Sequence, residues 1–344
     1  MSGAPRVPIA VTVAGAGVLG LASAIALADA GCRVTVCDPG GPNASSIAAG
    51  MLAPVFEAVL DEAVRPHLDL LVAARDLWPG FAARTGVALD RSGALAVGEA
   101  AWLDEVAARF AALQLRPTEI GGATARGLAP GLAEAWPRAL MTREDWQVDA
   151  PTALNALRRA AADAGVAFRT AVARGPGEAD VLVLATGAHA SAQALAPELS
   201  ALSPIKGHIV RVATEAAGAV VRSQGVYAAP GSGMAFGATM EAGRDDVGVD
   251  PALGEPLHAA GLRLFPGLAG LPVQVAAGVR AATPDALPLA GLSVAPGVIL
   301  ATGARRNGWL LAPLVARVVV AGVTGADAGP YAAQLDPRRF EARP

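Results

Sequence analysis

Gly15, Gly17 and Gly20 stand in G-x-G-x-x-G spacing, and an acid, Asp38, follows 23 residues after the first of them. Glycines spaced this way make a backbone that can press against a charged ligand. The first permits a tight turn, the second lets main chain approach a pyrophosphate, and the third lets a helix pack closely on the preceding strand. The chemistry is anion binding at a helix N-terminus, where unpaired N–H groups meet phosphate charge. An acid at the end of the next strand accepts hydrogen bonds from ribose hydroxyls and repels the additional phosphate of NADP. Further on, Ser45 and Ser46 lie in the small-residue segment Asn43–Pro54. A loop of that composition can pass beside a phosphate and a ring system, although a plain Ser/Ala-rich loop has the same composition.

These residues need elements to hold them. Val7 to Ala14 is a β-branched apolar run that reads as a buried parallel strand. Leu19 to Ala30 has helical composition, Gly31 is placed as its C-cap, and Cys32 to Asp38 reads as a second strand, giving a β-turn-α-β unit. The same stretch has a rival interpretation. From Val7 to Ala28 there are 22 uncharged residues behind Arg6, long enough to cross a bilayer, and Ala26-Leu27-Ala28 imitates a signal-peptidase site. Cleavage there would delete the glycine fingerprint, so the nucleotide-site interpretation is preferred.

Downstream, Gln147-Val-Asp149-Ala-Pro opens an amphipathic helix through Gly165, followed by a strand from Val166 to Val172. Ala179 to Gly187 is another buried strand that ends in a glycine turn. Gly225 to Thr239 is two apolar runs around Pro230-Gly-Ser-Gly233 and predicts a hairpin. Gly297 to Thr302 reads as a strand, and a helix follows Arg306, with Pro313 placed within its first turn or so, where a missing N–H costs little.

The 344 residues are 53% apolar and 17% charged, enough for two joined domains and unlike a disordered chain. A net charge of -3 without a basic stretch argues against nucleic acid or an anionic membrane as partner. Cys32 and Cys37 form neither a disulfide framework nor a metal-ligand spacing, and His67, His189, His208 and His258 are scattered, so no metal site is expected. Cysteine-poor composition suits a reducing cytoplasm. Trp309 to Gly325, the longest other apolar stretch, is interrupted by Pro313 and Arg317.

The words AAGMLAP after the fingerprint resemble the FAD-dependent amino-acid oxidase superfamily, and within it the glycine oxidases of thiamine biosynthesis. ATG at 185–187, GATME at 237–241, Gly278-Val-Arg280 leading to Pro288-Leu-Ala-Gly291, and Arg306-Asn-Gly-Trp-Leu-Leu-Ala-Pro313 carry the same likeness. It covers most of the chain, with the weakest matching at 55–140 and 241–277. Two departures stand out: Ala304 replaces the family's histidine, beside an added Arg305, and Lys206-Gly-His208 stands where R-G-Q is more usual.

The resemblance implies a mixed α/β (α+β) fold. A Rossmann-like FAD-binding domain of the glutathione-reductase/DAO type would comprise 1–85, 143–205 and 285–344. Interleaved with it, a substrate domain on a mostly antiparallel sheet would comprise 86–142 and 206–284. FAD would be held non-covalently by Gly15, Gly17, Val18, Gly20, Asp38, Ser45, Ser46, Gly50, Met51, Leu52, Val172, Thr186, Gly187, Arg280, Arg306, Asn307, Gly308 and Trp309. Arg280 would clamp the amino-acid carboxylate, the Tyr227 hydroxyl would meet it, and Arg306 would be a second active-site arginine. The implied reaction is oxidation of glycine or a similar small amino acid to the imine, with O2 reduced to H2O2. Thiazole synthase is the implied partner and a homo-oligomer the implied assembly. D-alanine, D-proline or sarcosine as substrate, an electron acceptor other than O2, and a non-catalytic flavin- or NAD-binding module are the alternatives.

Overall fold

The computed structural model describes residues 8–188 and 190–340. Val7, at the expected start of the first strand, and His189 lie outside the described residues. Two large sheets organise the chain. The first has six strands in the order Leu289–Leu292, Val298–Thr302, Val181–Leu184, Ala10–Ala14, Arg33–Asp38, Ala167–Thr170. Its pairings are parallel except for the edge strand Leu289–Leu292.

Register fixes which side chains meet. Val11 and Val13 lie opposite Val34 and Val36 on one side and Val181 and Val183 on the other. Most of these valines bury toward the helices Val18–Asp29, Ala150–Asp163 and Gly308–Thr324. Helix Val18–Asp29 has no polar face, so only burial satisfies it. Leu21, Ile25 and Leu27 are fully enclosed, each worth about 1.5–3 kcal/mol relative to exposure. The segment that could have been taken for a membrane anchor is therefore a core strand and a core helix. No helix of the described residues is long and apolar enough to cross a membrane.

The second sheet has nine strands and is antiparallel apart from the parallel pair Val220–Ser223 with Ala94–Ala96. Its longest pairing joins Ser203–Val212 to Val273–Ala282, with Ile205 opposite Arg280 and Gly207 opposite Gly278. The boundary expected at 205/206 falls inside the first of these strands. The expected hairpin is strands Val226–Ala229 and Met234–Gly237, with Tyr227 opposite Gly237.

Three expectations are corrected. The strand expected over 166–172 is Ala167–Thr170, because its partner strand ends at Asp38, opposite Thr170, and Val172 lies beyond the strand's end. Ser45 and Ser46 are in a short helix, Ala44–Ile47, whose N-cap Asn43 accepts from both backbone N–H groups. Pro313 is in the second turn of Gly308–Thr324, not the first, because the helix begins only at Gly308. There its ring leaves the Trp309 carbonyl without its usual i+4 donor.

Candidate active site

The glycine fingerprint is forced by close backbone approaches. Gly15 has φ +107°, and a Cβ there would come within 2.5 Å of the Ala185 carbonyl oxygen. A Cβ on Gly20 would overlap the Gly15 carbonyl. Gly17 is the N-cap of helix Val18–Asp29 and provides no capping side chain; the Ser45 hydroxyl accepts from Val18 N–H at 3.0 Å instead. Asp38 accepts from Ala16 N–H and Gly40 N–H, each at 2.7 Å, which fixes its carboxylate at the end of the second strand.

Around this turn is a cavity of about 1290 Å³, lined by Gly15, Gly17, Asp38, Ser45, Ser46, Thr186 and Gly187 among others. Val172, 58% exposed, lies on the same wall. Thr186 Oγ1 is buried and bonded to no protein group. A buried hydroxyl without a partner is costly unless a ligand supplies one. Together the backbone cradle and this orphaned hydroxyl suit a dinucleotide, and the residues present fit FAD.

A second cavity, about 420 Å³, adjoins the first through Val18, Ser45, Arg280 and Gly308, which line both. Helix Gly308–Thr324 begins here with Asn307 as an N-cap that provides no side-chain bond, and Gly308, its first residue, lines both cavities. Trp309 ties this helix to the serine segment through Nε1–H to the Ser45 carbonyl, 3.1 Å. Gly50 and Met51 line the smaller cavity, and Gly50 (φ +79°) packs against the Val148 carbonyl. Leu52, expected at the cofactor, is instead fully buried in the core, because its strand pairs it with Trp146 and turns its side chain away from both cavities.

Arg280 and Tyr227 meet in the smaller cavity. Arg280 has no carboxylate partner among the described residues; its one protein hydrogen bond is a long one, Nη1 to the Thr239 carbonyl at 3.4 Å. Burial depresses its pKa, yet a guanidinium stays protonated. Its planar group lies over Gly207, where a Cβ would overlap Nη1 and stand 2.7 Å from Nη2. The Tyr227 ring occupies the space that a side chain on Gly237 would need. Burial raises the Tyr227 pKa against the pull of Arg280 and Arg222, so the hydroxyl keeps its proton.

Arg306 lines the same cavity but is not free. Glu57 accepts from its Nε at 3.1 Å and its Nη2 at 2.5 Å, and from Arg222 Nη2 at 3.0 Å. Arg305, which adopts φ +49°, pairs with Asp61, and Asp61 also lies 3.5 Å from Arg306. Burial alone would raise the Glu57 pKa, but Arg306 and Arg222 overcome it and bring it to about 2. Glu57 is in the first turn of helix Pro54–Leu60 and Asp61 is its C-cap, and the helix start is capped from a distance by Asp145 accepting Val55 and Phe56 N–H at 2.8 and 3.0 Å.

Glu57, Asp61, Asp145 and Arg222 were not anticipated from the sequence. A single glutamate inside the apolar helix PVFEAVL was the available signal, since an acid on a buried helix face requires a cationic partner.

A doubly sided parallel sheet with a glycine fingerprint, joined to an antiparallel sheet over a shared cavity, defines a dinucleotide-dependent oxidoreductase of two interleaved sheets. The family model described as FAD dependent oxidoreductase (DAO) matches residues 10–321. The chain belongs to that family, and its cofactor is FAD. It is 30% identical to the bifunctional protein ThiO/ThiG of Trichormus variabilis, across 96% of this chain and 55% of that protein, so it spans about half the length of such relatives. It is 31% identical to the glycine oxidase of Pseudomonas aeruginosa, covering 94% of this chain and 98% of that one. The crystal structure of glycine oxidase from Geobacillus kaustophilus superposes with a TM-score of 0.79 at 26% identity, covering 97% of this chain and all of that one.

Proposed function

We propose that the chain is an amino-acid oxidase that converts glycine, or a similarly small amino acid, to its imine. The observation that carries this is Arg280: a half-buried guanidinium without a carboxylate, beside the Tyr227 hydroxyl, where the dinucleotide cavity meets the smaller one. FAD, when bound, would supply the two-electron acceptor for oxidation of the amine, with dioxygen as terminal oxidant reduced to hydrogen peroxide. Gly15, Gly17, Ser45, Thr186 and the N-terminus of helix Gly308–Thr324 would hold it. The proposed partition keeps residues 1–85, 143–205 and 285–344 for the cofactor and 86–142 and 206–284 for the substrate; it follows the two large sheets except at 205/206, which divides strand Ser203–Val212.

The protein's own part is orientation and charge. Arg280 offers two parallel N–H donors to the substrate carboxylate, and Tyr227 donates a third. Holding the carboxylate of a small amino acid at three donors converts an encounter into a positioned reaction. Among the described residues lining this cavity Glu57 is the only acid, and its two arginines make it a poor base. The amine must therefore arrive neutral, and turnover should rise with pH as free substrate loses its ammonium proton.

The relatives whose names join ThiO to ThiG support delivery of the imine toward the thiazole of thiamine, with thiazole synthase as partner. A cytoplasmic homo-oligomer is proposed with it. The test is reduction of the purified yellow protein without air by glycine, sarcosine, D-alanine and D-proline, followed by peroxide release on admitting oxygen. A flavin that none of these amines bleaches would refute the oxidase assignment. Dye reduction without peroxide would reassign the acceptor.

A further inference from the structure

Four guanidinium groups, Arg222, Arg280, Arg305 and Arg306, line the 420 Å³ cavity, against one lining carboxylate, Glu57. Left open, such a wall would attract any small polyanion. The cluster is closed by pairing. Glu57 takes Arg222 with one oxygen and Arg306 with the other, and Asp61 takes Arg305. Asp61 also lies 3.5 Å from Arg306, so each of these three arginines has a carboxylate beside it. Arg280 alone is left for substrate, and one guanidinium matches one carboxylate.

Glu57 is the hinge of this arrangement. It is 4% exposed, sits between two arginines, and is fixed by a helix whose first N–H groups Asp145 holds. The donors it restrains are not used up: Arg222 Nε is buried without any hydrogen-bond partner. Arg222 also lies 5.8 Å over the Tyr227 ring, adjacent to where the substrate carboxylate would rest. A second acidic group entering the cavity would meet the Glu57 charge. Without that charge it would meet Arg222 and Arg306 with donors to spare.

We propose that Glu57 is a specificity-determining residue that, by engaging Arg222 and Arg306 with its two oxygens, confines the site to amines with a single carboxylate and turns away amines carrying a second acidic group. This role presupposes Arg280 as the carboxylate clamp. Glu57 acts through the arginines rather than on the substrate, so its removal should change the ratio between substrates and not only their common rate.

The experiment compares FAD-loaded wild type, Glu57→Gln and Glu57→Asp in air-free flavin reduction by glycine, N-methylglycine and iminodiacetate. The last two lengthen the amine by a neutral and by an acidic group. Wild type should favour glycine over iminodiacetate by at least about tenfold in kcat/KM, as a buried like charge facing the second carboxylate requires. Glu57→Gln should shift that ratio toward iminodiacetate by at least about tenfold, through KM, leaving the N-methylglycine to glycine ratio unchanged. Glu57→Asp, which keeps the charge, should restore the wild-type ratio. Equal losses for all three amines in Glu57→Gln, or a wild type that accepts iminodiacetate as readily as glycine, would overturn the proposal. Should Glu57→Gln fail to fold, titrating the wild-type flavin spectrum with acetate and malonate decides: acetate should bind more tightly, and tighter malonate binding refutes the idea. A folded, yellow wild type that no amine reduces would remove the oxidase assignment itself, and this role with it.

Discussion

Gly207→Ala probes the carboxylate clamp without touching it. The added Cβ would overlap Arg280 Nη1, stand 2.7 Å from Nη2, and lie 2.6 Å from the Thr239 carbonyl oxygen. Something must move. The guanidinium is the flexible end of a long side chain with one long hydrogen bond, so it yields first, while the Thr239 main chain, held by His208 N–H to the Thr239 hydroxyl at 2.8 Å, resists. Overpacking of this kind costs about 1–3 kcal/mol of stability. The larger effect falls on the substrate, because a displaced guanidinium no longer presents both N–H groups to the carboxylate. A hydrogen bond to a charged group contributes about 1.5–3 kcal/mol, which is about a 10- to 150-fold loss in glycine affinity. Flavin affinity should stay within about twofold, since the fingerprint cradle is untouched. The assay is the glycine dependence of air-free flavin bleaching, with flavin dissociation measured in parallel. A variant that holds flavin and binds glycine as tightly as wild type would show that Arg280 does not receive the carboxylate.

Thr186→Val removes a buried hydroxyl that has no protein partner. FAD dissociation should become about tenfold easier while the flavin-free protein melts no lower than wild type, and unchanged flavin affinity would refute the hydroxyl's part in the cofactor site. Glu57 has a folded pKa of about 2 against an ordinary 4.5. Its contribution is therefore present above pH 4.5 and lost as pH falls through about 2. Denaturant titrations at pH 7 and pH 3 should show the stability gap between wild type and Glu57→Gln, on the order of 3 kcal/mol at the higher pH, narrowing at the lower. Asp145 has the opposite sign: burial raises its carboxyl from 3.8 to about 7, against the Phe56 and Val55 N–H bonds that favour the charge. Its contribution is present below pH 3.8 and lost as pH rises through 7, so Asp145→Asn should gain on wild type between pH 4 and pH 8, and a constant difference would refute it.

Much of the nucleotide half was legible because its physics is local. The packing of Gly20 on the Gly15 carbonyl and the placing of Asp38 beside Ala16 N–H join residues less than 25 positions apart, and their spacing carries the geometry, although Gly15 also meets the distant Ala185 carbonyl. The hairpin around Tyr227 was legible for the same reason: alternating apolar residues about a Pro-Gly-Ser-Gly turn have few other solutions. Boundaries failed where tertiary contacts decide them. The strand after residue 166 stops at Thr170 because its partner strand, more than a hundred residues earlier, ends at Asp38, and no local pattern contains that partner. Leu52 failed differently. It belongs to the motif words that border the cavity, but a two-residue strand alternates its faces, so Met51 lines the site while Leu52 joins the core.

The charge network was illegible for a reason that also explains its importance. Arg306 carries the motif and invites reading as a free cation. Its partner Glu57 is 249 positions away, on a seven-residue helix whose N-cap residue, Ala53, has no capping side chain and whose first N–H groups are held by Asp145, a further 88 residues on. Each member alone is an unfavourable burial: an acid in an apolar helix, a carboxylate with its pKa pushed toward 7, an arginine with an unbonded Nε. Buried charges persist when each offsets another, and removing one exposes the cost of the rest. Structural need alone would be met by apolar residues of similar size, which are often no less stable. The pairing of Glu57 and Asp61 with Arg222, Arg305 and Arg306 at the edge of the cavity that holds Arg280 is better accounted for by what it does there: among the described residues it leaves Arg280 alone without a carboxylate, and a single substrate carboxylate answers it.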